Sequence, residues 1–323
     1  MTSGNKAARL RALFESPDTS LMPFGVLPLH ARMAQQAGFK AFEVSGGLSS
    51  WWLTAMADVG YLTMTEVVDH AAKVARAVDI PVFCDADTGY GGPVNVQRTT
   101  RSFIDAGVAG IHLEDQAEPK KAGGRAGIRL VSDVEAIGRL TAAVEERERV
   151  DPDFVVVART DGYGAIGGGL DEAIRRGLLY RAETDVDVIF YEGLDSWRDV
   201  ETVLRETPGP AYAIPSRKAG PTPSVARLTA MGQAIQIIPF ILPGVHEVWQ
   251  LLRAVAASGE LAPIEDYRAH MDTFKGTEGW VGWGEELLAL SYEQVSRLEA
   301  RVMPEPRNAL AERPASTEGG ECR

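Results

Sequence analysis

Several short apolar runs in this chain stop abruptly at charged residues. Val82-Phe83-Cys84 is followed by Asp85-Ala86-Asp87-Thr88-Gly89-Tyr90-Gly91, and Gly110-Ile111-His112-Leu113 by Glu114-Asp115. In a β-strand, residues i and i+2 share a face, so Asp85 and Asp87 can converge on one point. Carboxylates gathered at adjacent strand ends repel one another unless a cation sits among them. Oxygen donors without Cys or His partners suit Mg²⁺ or Mn²⁺ rather than zinc. Val155-Val156-Val157-Ala158 ends in Arg159-Thr160-Asp161. That guanidinium can fork a substrate carboxylate or pair with the acids, and the two roles are compatible. Ile189-Phe190-Tyr191 ends in Glu192-Gly193, and Val44 leads into Ser45-Gly46-Gly47, a hydroxyl with flexible amides suited to an anion nest. A single strand-end acid serves equally well as a helix cap or solvated loop residue. Recurrence on neighbouring strands is what favours a site.

These residues need a scaffold that brings strand ends together. Strand patterns fall at Pro23–Val26, Ala41–Val44, Val82–Asp85, Gly110–Glu114, Phe154–Ala158, Val186–Tyr191, Ala211–Ile214 and Ala234–Ile238. Helical patterns lie between and after them: Leu29–Gln36, Thr65–Ala77, Val94–Asp105, Asp133–Arg149, Leu170–Ala182, Ser196–Arg205, Ser224–Met231 and Gly244–Ala257. Ser132 and Ser196 are placed to cap two of these helices. Alternation of strand and helix implies parallel pairing with right-handed crossovers. Eight strands over about 220 residues without a linker-like break favour a closed (β/α)8 TIM barrel over an open doubly wound sheet. In a barrel every strand end named above lies on the C-terminal face. Residues 1–260 are read as the barrel and catalytic domain. Residues 261–303 are read as a C-terminal helical extension anchored by Trp280, Trp283, Leu287, Leu288 and Leu290, and 304–323 as a disordered tail.

Composition narrows the function classes. The chain has 323 residues and 45 Asp+Glu against 33 Lys+Arg, a formal net charge of −12. Such a chain is a poor partner for nucleic acid or for anionic membrane surfaces. Two cysteines, Cys84 and Cys322, make neither a disulfide framework nor a four-thiolate zinc site. No signal peptide and no run of roughly 18 apolar residues is visible, so the expected setting is a soluble, cytoplasmic one.

The motifs taken in order resemble the isocitrate lyase/phosphoenolpyruvate mutase superfamily. The resemblance runs from about Met22 to Ala257 and rests on Ser45-Gly46-Gly47, Asp58-Val59-Gly60, Asp85 to Gly91, Ala106 to Gln116, Pro119-Lys120-Lys121 and Ala158-Arg159-Thr160-Asp161. It implies a barrel that assembles as a helix-swapped homodimer or homotetramer. It also implies Mg²⁺ held by Asp85, with Asp58, Asp87 and Glu114 acting largely through water. A small anionic 2-oxo or 2-hydroxy acid would be gripped by Ser45, Gly46, Gly47 and Arg159; Glu192 joins the substrate-binding candidates as a strand-end acid, from its position alone. The shared chemistry is cleavage beside a carbon whose enolate-like oxyanion the metal and Arg159 stabilise.

Two departures bear on the reaction. Lyases of the family carry Lys-Lys/Arg-Cys-Gly-His on a mobile lid, with the thiol as general acid. Here Lys120-Lys121-Ala122-Gly123-Gly124 puts Ala122 at that position and Gly124 at the His. Cys84 sits on the strand before Asp85 and is read as a small buried hydrophobe, not a replacement acid. Lys120 then becomes the lid residue expected to close the site or assist proton transfer. The second departure is Pro215-Ser216-Arg217, where lyases carry an Asn segment; it is closer to the phosphonate-handling members. The expected activity is a Mg²⁺-dependent C–C lyase, either decarboxylase-like with a solvent-protonated carbanion or a specialised lyase using another acid. A C–P mutase or hydrolase and a non-catalytic acid-binding relative are the alternatives.

Overall fold

The computed structural model describes residues 5–303 except Trp283. Eight parallel strands, β1 (Ser20–Gly25), β2 (Phe42–Val44), β3 (Val82–Asp85), β4 (Gly110–Glu114), β5 (Val155–Thr160), β6 (Val188–Leu194), β7 (Ala211–Pro215) and β8 (Ile235–Ile238), follow one another around a nearly closed (β/α)8 barrel. β1 pairs with both β2 and β8. Between β7 and β8 the seam is held by Ala234 N donating to Ala211 O at 3.0 Å and by the Gln233 amide, which bonds Ala213 N and O.

The helices on its outside are α2 (Pro28–Gln36), α3 (Gly46–Thr54), α4 (Met64–Ala77), α5 (Pro93–Asp105), α6 (Asp133–Val150), α7 (Leu170–Glu183), α8 (Trp197–Glu206) and α9 (Val225–Ala230). Ser132 and Ser196 accept from Glu135 N and Asp199 N at the starts of α6 and α8, satisfying amides that have no partner inside the helix. Strand residues pointing outward, such as Val82, Cys84, Val156 and Ile189, pack against these helices. Inward residues Phe83, Val155, Val157, Phe190 and Tyr212 fill the barrel.

Two elements depart from the sequence reading. The N-terminal segment, α1 (Lys6–Phe14), is helical, and Ala7, Leu10 and Phe14 bury one face against the barrel interior. Phe14 meets Phe83 edge-on at 5.6 Å. The Ser45-Gly46-Gly47 segment is not an isolated nest but the first turn of α3: Ser45 is its N-cap and accepts from Leu48 N.

After β8 come α10 (Leu242–Ser258), α11 (Ala262–Asp272) and α12 (Tyr292–Val302). None of the α10 side chains is buried, and Val245, Val248, Trp249 and Leu252 stand exposed. The chain divides into two compact units between Thr273 and Phe274. Leu287 is buried while Leu288 and Leu290 are exposed; Trp283, Cys322 and the tail from 304 lie outside the described residues. No helix among the described residues is long and apolar enough to cross a membrane.

Candidate active site

The C-terminal strand ends open into a cavity of about 470 Å³ lined by Glu43, Ser45, Gly47, Asp58, Asp85, His112, Arg159 and Glu192, among others. A cavity of this size accommodates a small metabolite. Asp85 closes β3. Asp87 reaches the same point by a different route from strand alternation: the strand has ended, Asp87 adopts φ +48, and its N–H donates to Asp85 Oδ1 at 2.8 Å. The turn, not the pleat, brings the two carboxylates together.

Lys120 supplies the counter-charge. Its Nζ lies 3.0 Å from Asp58 Oδ1 and 3.6 Å from Glu114 Oε1, and also donates to Asp87 Oδ1. The side chain is only 1% exposed, so this lysine is part of the acid cluster rather than a residue on an outer lid. Arg159, at the end of β5 and in register with Glu114, forks Asp161 through Nε at 3.0 Å and Nη2 at 3.2 Å. Its Nη2 is also 3.3 Å from Glu114 Oε2 and 3.9 Å from Glu192 Oε2. Behind it, Asp115 accepts from Asp161 N, Thr160 Oγ1 and Tyr180 OH, so a buried network fixes the strand end from below.

The electrostatics follow from burial and partners. Burial works to raise Asp85, but His112, Lys120 and Arg159 outweigh it and hold this carboxyl below its usual range. Burial pushes Asp87 up to about 6 despite Lys120, with Asp85 and Asp58 adding to the rise. Glu114 is raised by burial against the pull of Lys120 and Arg159. Burial likewise takes Glu192 up to about 7, opposed by Arg159 and reinforced by Asp161.

The donor set fits a hard divalent cation. Both carboxylate oxygens of Glu114 are buried without a hydrogen-bond partner among the described residues. A Cβ at position 46 would stand 2.5 Å from Asp85 Oδ2, so glycine is what lets the start of α3 approach that carboxylate. No three His, Cys, Asp or Glu groups among the described residues converge tightly enough to hold an ion by themselves.

All ten residues singled out from sequence lie in or beside this cluster, with Ser45 and Gly47 lining the same cavity as Arg159. The lid segment lies against β6: a Cβ on Gly123 would meet Glu192 Cγ at 2.4 Å. Cys84 is fully buried among apolar residues, away from the cavity lining. Glu43 and His112 line the cavity too, although neither is among the residues singled out from sequence. Trp51 and Trp52 are exposed on α3 and do not line it.

A family profile described as phosphoenolpyruvate phosphomutase matches residues 10–257. The chain is 39% identical over 238 residues to 2,3-dimethylmalate lyase of Eubacterium barkeri, spanning 73% of this chain and 80% of that one. Among solved structures, phosphoenolpyruvate phosphomutase of Streptomyces platensis subsp. rosaceus superposes with a TM-score of 0.77 at 31% identity, covering 92% and 99% of the two chains. A phosphonopyruvate hydrolase in complex with oxalate and Mg²⁺ superposes with a TM-score of 0.75 at 26% identity, covering 94% and 100%.

Proposed function

Because the chain belongs to the phosphoenolpyruvate mutase/isocitrate lyase superfamily, we propose that it is a Mg²⁺-dependent lyase that cleaves a C–C bond in a small 2-oxo or 2-hydroxy carboxylate. The observation that carries this reading is the group of Asp58, Asp85, Asp87 and Glu114 around buried Lys120, with Arg159 3.3 Å from Glu114 and lining one cavity together with Asp58 and Asp85. Asp85 would hold the ion directly, and Asp58, Asp87 and Glu114 through water. When bound, Mg²⁺ would supply positive charge against the negative oxygen of the α-oxyacid fragment, the alkoxide of a 2-hydroxy acid before cleavage or the enolate of a 2-oxo acid after it.

The protein's own groups do the rest. Arg159, held rigid by Asp161, presents its guanidinium to the substrate carboxylate at no cost in reorganisation. Ser45 Oγ accepts from Leu48 N, which leaves its hydroxyl hydrogen to donate to the same fragment beside the amides of Gly46 and Gly47. Lys120 keeps the acid cluster compact and holds a proton beside Asp87. Glu192, against the Gly123 loop, is a cavity acid that burial raises to about 7. With Ala122 on that loop, proton return to the carbon that keeps the electron pair falls to Glu192 or solvent.

The test is a panel of malate-type, citrate-type and oxaloacetate-type acids incubated with MgCl2 and assayed for pyruvate, glyoxylate and CO2. Asp85→Ala should abolish any turnover found. No product from the panel, despite tight oxalate binding, refutes the C–C assignment. A C–P reading draws support from Pro215, Ser216 and Arg217, which line the cavity. Phosphorus NMR with phosphonopyruvate separates the two. The exposed apolar residues of α10 support self-association as a homodimer or homotetramer.

A further inference from the structure

The loop that leaves β7 is pinned to β6. Ile214 and Pro215 are in register with Glu192 and Leu194, and Ser216 N donates to Leu194 O at 2.7 Å. Beyond that point the side chains divide. Ser216 Oγ donates to Asp195 Oδ1 and Lys218 Nζ to Asp195 Oδ2, each at 2.7 Å, so one acid holds both. Arg217, between them, opens the 3-10 turn Arg217–Ala219 and lines the cavity, which Lys218 does not. Among the described residues the Arg217 guanidinium has neither a hydrogen-bond nor an ion-pair partner. The other cations at the site are committed: Lys120 to Asp58, Asp87 and Glu114, and Arg159 to Asp161 and Glu114. The charge of Arg217 is left for a group that enters with the ligand.

The spacing suits the two ends of one small molecule. β5 ends in Arg159, β6 lies beside it, and β7 leads to Arg217, so the two arginines spring from strands two spacings apart, about 10 Å. An arginine side chain covers much of that span. A chain of four or five carbons, held at Asp85 and Arg159 by its α-oxyacid end, covers the rest. A methyl terminus offers Arg217 nothing, whereas a carboxylate or phosphonate presents oxygens that match its planar fork. We propose that Arg217 binds a second anionic group, carboxylate or phosphonate, at the end of the substrate remote from the α-oxyacid. The assignment rests on the reading of this cavity as an α-oxyacid site and narrows its substrate class to doubly anionic acids.

The test uses pairs that differ only at the remote end, malate with 2-hydroxybutyrate and 2-hydroxyglutarate with 2-hydroxyvalerate, titrated calorimetrically in MgCl2 alongside oxalate. The wild type should favour the doubly anionic member of at least one pair by about fivefold or more, the range of a partly exposed bidentate ion pair. In Arg217→Met that preference should fall toward unity, and in Arg217→Lys part of it should return. Oxalate, too short to reach both ends, should bind both variants as it binds the wild type. Titrating 3-phosphonolactate beside malate identifies the terminus: the acid that binds tighter to wild type and loses more in Arg217→Met carries the group Arg217 takes. Equal affinity within both pairs, a preference that survives Arg217→Met, or binding of oxalate alone overturns the assignment of Arg217 and leaves the cavity reading standing. If oxalate itself does not bind, the cavity reading fails and the assignment with it.

Discussion

Replacing Lys120 by Met removes one charge and keeps most of the volume, so the effect reports electrostatics rather than packing. The ammonium lies 3.0 Å from Asp58 and 3.6 Å from Glu114, contacts Asp87, and is almost wholly shielded from solvent. At an effective dielectric of about 20, one such contact at 3 Å contributes about 5 kcal/mol of gross attraction, much of it offset by desolvation of the ammonium. Removing one partner of a buried network costs about 3–5 kcal/mol, because the charges left behind have no counter-ion. The remaining acids can escape that penalty only by taking up protons. Asp87 already ionises at about 6 with Lys120 present, and Glu114 is raised as well. Without Lys120 both rise further. The folded variant then binds more protons than its unfolded chain from the ordinary carboxylate range upward, so its stability falls as pH rises through that window. Urea unfolding at about pH 5 and about pH 8 should therefore show a small deficit at the lower pH and the full about 3–5 kcal/mol at the higher. MgCl2 at pH 8 should raise the variant's midpoint more than the wild type's. A variant as stable as wild type at pH 8, or a deficit independent of pH, refutes the account of Lys120 as the cluster's counter-charge.

Glu192, raised to about 7, gives wild-type turnover an ionisation near neutrality, and Glu192→Gln should remove that limb of the pH profile. The same raised carboxyl lowers wild-type stability as pH climbs from its ordinary range through 7, by up to about 3 kcal/mol, and the Gln variant should be flat there in a thermal melt series. Gly46→Ala drives a methyl group to 2.5 Å from Asp85 Oδ2. Turnover should fall at least about 100-fold while the melting temperature moves by only a few degrees; near-normal kinetics would show that the approach of α3 to Asp85 is not needed. Trp249→Glu places a charge in the exposed apolar stripe of α10. Light scattering should find the wild type oligomeric and the variant shifted toward monomer, and a monomeric wild type would refute the self-association proposal.

What could be read in the sequence follows from how far apart the interacting residues lie. Apolar runs ending in charge are local, so β3, β4 and β5 and their terminal Asp85, Glu114 and Arg159 were found at or near their observed positions. Lys120 was not legible as a core residue, because what buries it is the simultaneous pull of Asp58, Asp87 and Glu114 from separate segments. α1 was overlooked because its outward face is basic, though Ala7, Leu10 and Phe14 recur at helical spacing. Glu43 carried a signal that went unused. An acid flanked by Phe42 and Val44 within a strand that is buried throughout has no solvated side to turn to, since both faces of a barrel strand are covered. Such a residue must either be neutralised internally or meet a ligand. His112 meets only one of its oxygens. An acid at a strand's end is ambiguous between cap and site, whereas an acid in the middle of a buried strand has no capping role to explain it, and in this chain Glu43 pairs with His112, both of them residues that line the cavity.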